Sequence, residues 1–231
     1  MIDDEIRENN NNYKVEFLGE NFSKEYKTYK VIILGLCGVG KTTIIGKIMK
    51  KPSNIYETTI SLDIQNIQIK VNEKIIQIQF WDPCGNDEFA GSIPNLFKNA
   101  SLSILVFAID NHKSFENLIS WKNLVKENSY DSTLFLIGNK SDLEEEREVK
   151  IEEVENFKKS YDDIKMFFET SATKGENIDK LFENISISLY EKLIFEEKNM
   201  DDILANRIIL EKEDFSKKKS VNNKKKKFKI C

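Results

Sequence analysis

Three cysteines stand among 231 residues, and no two of them form a Cys-x-x-Cys pair. That excludes a disulfide scaffold and argues against a structural zinc site. No run approaches the roughly 18 consecutive apolar residues of a transmembrane helix. The acidic start Met1-Ile2-Asp3-Asp4-Glu5 lacks the basic region of a secretory signal, and Ile2 stands where myristoylation needs glycine. A strong basic excess is missing too. With 35 Lys+Arg against 39 Asp+Glu the net charge is −4, which is not the balance of a general nucleic-acid binder. The expected compartment is therefore the reducing cytosol. The only histidine, His112, sits near a helix start and reads as a solvent-exposed residue.

What is present suits one domain with tails. Residues 1–28 are polar, include Asn9-Asn10-Asn11-Asn12, and read as a mostly disordered extension despite a short apolar stretch at Val15, Phe17 and Leu18. The buried-strand run Val31-Ile32-Ile33-Leu34 follows, then a helical segment from Lys41 to Lys50. Ile60–Val71 and Ile76–Phe80 alternate and read as a strand pair turning at Asn72-Glu73. Leu102–Ile109, Thr133–Ile137 and Ile164–Phe168 read as further strands. Helical spacing appears at Phe115–Leu124, Val149–Phe157 and Ile178–Leu193. Strands alternating with helices predict an α/β fold, with a six-stranded, mainly parallel sheet and helices on both faces. The expected boundaries are an extension at 1–28, a folded domain at 29–195 and a tail at 196–231.

Gly35-Leu36-Cys37-Gly38-Val39-Gly40-Lys41-Thr42 fits G-x-x-x-x-G-K-[ST] between a strand and a helix. The loop's amides form an anion nest at a helix N-terminus. Lys41 supplies a point charge for β and γ phosphates, and the Thr42 hydroxyl can ligate Mg²⁺. Gly38, Val39, Gly40 and Thr43 complete the phosphate contacts. The loop alone leaves ATPase, GTPase and small-molecule kinase open.

Asn139-Lys140-Ser141-Asp142 follows the Thr133–Ile137 strand, at the end where α/β sheets bind ligands. Guanine offers two adjacent donors, N1–H and the 2-amino group, which one carboxylate can accept together. Adenine lacks that pair, so Asp142 favours guanine. Ser171-Ala172-Thr173 is a further candidate base loop.

These residues resemble the Ras superfamily of small GTPases, the Rab branch in particular, over about residues 29–193. Trp81-Asp82-Pro83-Cys84-Gly85-Asn86-Asp87-Glu88-Phe89 is similar to the Rab switch II box, and Phe168-Glu169-Thr170-Ser171-Ala172 also looks Rab-like. The resemblance implies a P-loop small-GTPase fold and GTP hydrolysis to GDP used as a switch. It implies that Thr42 and Thr59 ligate Mg²⁺, with Asp82 acting through water. The Gly85 amide would contact the γ phosphate. Asn139, Lys140 and Asp142 would surround guanine, supported by Ser171, Ala172 and Thr173. Lys41 and Gly85 would serve catalysis together with Asn86. Partners (exchange factor, activating protein, effectors) would read segments near 53–64 and 82–98, with Trp81, Ile64 and Leu96 as their apolar contacts. A monomer is expected.

Several positions depart from the family. Asn86 replaces the Gln that orients the attacking water, on an arm one methylene shorter, which predicts slow hydrolysis. Pro83, Cys84 and Glu88 replace Thr, Ala and Arg, and Cys37 replaces a usual small Ser. A second reading, a GTP-binding interaction module with negligible turnover, rests on the same box. Residues 216–231 carry eight Lys and no acid, which leaves 27 Lys+Arg against 39 Asp+Glu, a net of −12, in the rest. A lysine-rich tail beside Cys231 suits an anionic membrane and a prenyl anchor. The expected location is the cytosolic face of an endomembrane, in vesicle traffic. Cys231 stands alone, however, in neither a C-a-a-X box nor a double-cysteine ending.

Overall fold

The computed structural model describes residues 13–51, 61–84 and 95–227, with side chains described as far as residue 203. In chain order the elements are β1 (Val15–Gly19), β2 (Thr28–Leu34), α1 (Lys41–Ile48), β3 (Asp63–Val71) and β4 (Lys74–Asp82). They continue with β5 (Ala100–Ala108), α2 (His112–Glu116), α3 (Leu118–Asn128) and β6 (Thr133–Asn139). A 3-10 helix (Ser141–Glu146), α4 (Ile151–Ser160), β7 (Ile164–Thr170) and α5 (Ile178–Lys227) complete the chain. The strands form one sheet in the order β1-β3-β4-β2-β5-β6-β7. β3 pairs antiparallel with β1 and β4, and the other pairings are parallel.

β2 shows why the layers form. Val31, Ile32, Ile33 and Leu34 are all fully buried, so both faces of this central strand are covered. Ile32 and Leu34 join a cluster with Phe115, Leu118, Trp121, Val125 and Val154, the apolar faces of α2, α3 and α4. The alternate residues Val31 and Ile33 face the other layer, where Ile44, Ile45 and Ile48 of α1 and Leu181 and Ile185 of α5 are buried. Each large side chain sealed this way contributes about 1.5–3 kcal/mol. The β3–β4 hairpin turns at Asn72, whose φ of 54° is a conformation asparagine tolerates well.

The sheet has a seventh strand, and it lies inside the segment expected to be mostly disordered. Val15–Gly19 pairs with Gln68–Val71 through a bulge. Asn72 brackets its start: the Lys14 amide donates to Asn72 Oδ1 at 2.9 Å, and the Asn72 amide donates to the Lys14 carbonyl at 2.8 Å. The Phe17 ring meets Phe182 at 6.2 Å. The buried Gln77 amide then anchors the following turn, accepting from the Ser23 amide and donating to the Ser23 carbonyl and Thr28 Oγ1. Composition signals disorder because the stabilising contacts are 49 or more residues away in sequence. Residues 1–12 lie outside the described residues.

The chain divides into two compact units, Met1–Leu189 and Tyr190–Cys231. The first takes in β1. The last helix, expected to close near Leu193, runs on to Lys227. Among the described residues no helix is long and apolar enough to cross a membrane.

His112, with its side chain 39% exposed, is open to solvent as expected but is also paired. Its Nε2 lies 2.9 Å from Glu153 Oε1 on α4, its Nδ1 3.5 Å from Glu116, and its amide donates to Glu148 at 2.7 Å. The bond to Glu153, aided by the other carboxylates, raises its pKa above 6.5, and the same bond lowers that of Glu153 below 4.5. The raised histidine stabilises fully below its ordinary pKa and loses this as pH climbs through the folded value. The lowered glutamate stabilises above its ordinary value and loses this as pH falls through the folded one. The clasp between α2 and α4 therefore acts in the weakly acidic to neutral range. His112→Gln is expected to lower the melting temperature most at about pH 5.5–6.5 and least above about pH 8. A difference independent of pH would refute the assignment.

Candidate functional site

β2, β4, β5, β6 and β7 run parallel, so their C-terminal ends share one edge of the sheet, where α/β folds take ligands. That edge collects the phosphate loop after β2, Asp82 at the end of β4, Asn139–Asp142 after β6 and Ser171–Thr173 after β7. Residues some 130 positions apart in sequence thereby become neighbours.

The phosphate loop is held from below. Lys41 is buried, with its Nζ donating to the Gly35 carbonyl at 2.9 Å and the Leu36 carbonyl at 3.1 Å. Val39 is buried and Thr43 half-buried. Gly40 caps α1 at φ 94°, where a Cβ would stand 2.2 Å from Asn139 Nδ2. Glycine is required there by both conformation and space. On the open side a Cβ at Gly38 would meet nothing within 4 Å. No residue of α1's own first turn is acidic, so the helix's positive N-terminal end faces the loop.

Thr42 Oγ1 donates to Asp82 Oδ2 at 2.5 Å. Asp82 is fully buried, and its Oδ1 has no hydrogen-bond partner among the described residues. Burial raises its pKa above 3.8, opposed by the Thr42 bond and the Lys41 charge. A desolvated carboxylate with one idle oxygen beside a hydroxyl is a donor set suited to a hard cation.

Asn139 is buried, and both ends of its amide are engaged. Nδ2 donates to the Val39 carbonyl at 2.8 Å, while Oδ1 accepts from Thr170 Oγ1 and the Ala172 amide, each at 3.1 Å. It ties the phosphate loop to the loop after β7. Asp142 Oδ1 accepts from Ser171 Oγ at 2.6 Å, and that hydroxyl accepts from the Lys174 amide at 3.0 Å. Ser171 and Ala172 are buried, whereas Thr173 is exposed. Lys140 takes a left-handed backbone, φ 66°, and its Nζ lies 2.9 Å from Asp110 Oδ2.

Sequence reasoning missed a brace beneath this loop. Arg147 donates Nη1 and Nη2 to the two oxygens of Glu169, at 2.9 and 3.0 Å, and Nε and Nη2 to Glu144. These bonds, Glu144's first, hold its pKa above even the usual arginine value. The available signal was one basic residue inside the acidic run Glu144-Glu145-Glu146-Arg147-Glu148.

The apolar trio expected to face partners is split. Ile64 is 39% exposed opposite Trp81, but Leu96 is fully buried in the core. Leu96 belongs instead to the buried cluster with Ile32, Leu34 and Phe97, where an apolar side chain is stabilised by leaving water. The Lys30 ammonium lies 3.5 Å from the centre of the Trp81 ring and donates to the Asn95 and Lys98 carbonyls. Burial pulls its pKa down to about 8. Cys37 is exposed and Cys84 half-buried, both as free thiols. Thr59, Gly85, Asn86 and Cys231 lie outside the described residues, as do most of the two segments expected to meet partners.

A comparison with protein families matches residues 30–191 to the model described as "Ras: Ras family". The match opens in β2, ends in α5 and contains every element of the site described above.

Proposed function

Because the chain belongs to the Ras family, a family of guanine-nucleotide-binding switches, we propose that it is a Rab-type switch. In this reading it binds GTP, hydrolyses it slowly to GDP and acts in membrane traffic. One observation carries it: the anion nest of Gly35–Thr42, the Thr42–Asp82 pair and the Ser171-held Asp142 share one sheet edge.

Lys41 and the loop amides from Gly38 to Thr43 would hold the phosphates. Asp142 would accept both guanine donors while Ser171 fixes its aim. Thr42 and Asp82, with Thr59, would hold Mg²⁺, which supplies charge neutralisation on the phosphates when bound. Among the described residues no group of three or more His, Cys, Asp or Glu is gathered. Asn139 would brace the loops that surround the base, its second Nδ2 hydrogen left to meet guanine beside Lys140 and Asp142. Loss of the γ phosphate would release the contacts of Thr59 and Gly85 and relax the segments near 53–64 and 82–98. The split trio and the lysine over Trp81 favour effectors unlike the usual ones. The lysine-rich run at 216–231 and Cys231 would bind an anionic membrane, with a prenyl group as second signal.

The second reading, an interaction module without turnover, draws on Asn86 and Pro83. One preparation of the full chain from its native cell tests both. Bound nucleotide should be GDP or GTP with Mg²⁺, and the mass of the C-terminal peptide should exceed that of an unmodified Cys231. In single-turnover assays Asn86→Gln is expected to hydrolyse GTP at least about tenfold faster. An adenine nucleotide would overturn the guanine reading, and an unmodified cysteine the anchor. An Asn86→Gln variant no faster than the parent would favour the module.

A further inference from the structure

Most polar groups on the β5–α2 connection have a visible structural task. Asn111 caps α2, accepting from the Ser114 amide at 3.1 Å. Ser114 Oγ closes the turn onto the Asn111 carbonyl at 2.6 Å. Glu148 and Glu153 hold His112. Asp110 does none of these. Its Oδ2 accepts from Lys140 Nζ at 2.9 Å, and its Oδ1 is buried without a hydrogen-bond partner among the described residues.

The fold brings these two residues together. β5 and β6 pair in register at Ala108 and Asn139, and the Ile109 amide donates to the Asn139 carbonyl at 3.0 Å. Asp110 and Lys140 therefore leave the sheet side by side, at the edge that holds the ligand site. Lys140 is fastened at both ends. Its backbone is set by a left-handed turn beside the thrice-bonded Asn139, and its ammonium is set by Asp110. The two side chains are 30% and 16% exposed, so the pair is partly shielded from solvent screening. Between the fixed ends the alkyl stem has little freedom left. A long flexible side chain would otherwise be ordered at the ligand's expense.

We propose that Asp110 is a positioning residue of the base site, one that pins the Lys140 stem against the bound guanine and so slows nucleotide release. The inference rests on the guanine reading given above.

The test measures release of GDP carrying a fluorescent ribose label from the full chain with Mg²⁺ present. Asp110→Asn keeps the size but removes the charge, and it is expected to release GDP roughly tenfold faster, equivalent to about 1.4 kcal/mol. Lys140→Met should also speed release. Adding Asp110→Asn to Lys140→Met should change nothing further, because the two act as one unit. Asp110→Glu should restore part of the slow release, which a merely structural role would not predict. Release from Asp110→Asn at the parent rate overturns the inference. So does an equal acceleration in the Lys140→Met background, which would place the effect elsewhere. If the parent protein binds no labelled GDP, the guanine reading falls and this inference with it; binding with an unchanged Asp110→Asn rate sinks the inference alone.

Discussion

Asp142→Asn is expected to raise the dissociation constant for GDP by roughly 10²–10³-fold, since each of two charge-assisted hydrogen bonds is worth about 1.5–3 kcal/mol. In the proposed base site the carboxylate would accept from both N1–H and the 2-amino group, whereas the amide presents one acceptor and one donor. Its N–H₂ would point at the 2-amino group of guanine, donor against donor. Xanthine carries a carbonyl at that position, so the same amide fits it in both places. The variant should therefore prefer xanthosine diphosphate to GDP. Fold effects are separable: the amide oxygen of the substituted side chain can still accept from Ser171 Oγ, which lies 2.6 Å from the Asp142 carboxylate in the parent. The melting temperature of the unliganded variant should stay within about 2 °C of the parent. Competition between the two diphosphates for the labelled-GDP site measures the preference. Unaltered GDP affinity would remove Asp142 from the base site.

Gly35→Ala acts on the scaffold instead. A Cβ at Gly35 would stand 2.1 Å from the Val106 carbonyl oxygen and 3.3 Å from Val39 Cγ2, and φ is +150°. The obstacle is the backbone of β5, which pairs with β2 one residue earlier at Leu34 and Leu105. No rotamer change relieves it, so the strands must part or the loop must rebuild. Overpacking and backbone strain together are expected to cost about 3–5 kcal/mol. For a domain of this size that lowers the melting temperature by roughly 10 °C. Gly38→Ala is the control. Its φ of +81° carries strain, but the added methyl meets nothing within 4 Å. It should lose only about 1–2 kcal/mol. Thermal unfolding of the two variants side by side decides, and equal melting temperatures would refute the argument from Val106.

Much of this was legible in the chain because its signals are local. Val31–Leu34 declares a buried strand by four consecutive apolar residues. Gly35–Thr42 declares the phosphate loop by residue types within eight positions. The Asn72-Glu73 turn and all six expected strands are in the structure near their predicted bounds. What escaped was non-local. β1 has only four paired positions, in a polar setting, and exists because Gln68–Val71 presents an open edge to it. Leu96 resembled a surface contact by its place in the series, yet core space claimed it.

The sequence by itself determined the class of fold, the phosphate loop and the candidate guanine carboxylate, because backbone preference, apolar period and residue chemistry act over a few neighbours. Tertiary structure alone decided which groups are left for a ligand. Asn139 is held by Val39, Thr170 and Ala172, Asp82 keeps an idle buried oxygen, and Lys140 is leashed to Asp110. Each outcome depends on groups 30 to 100 residues apart meeting in a desolvated space. There an unpaired polar atom is costly and a paired one is fixed in place.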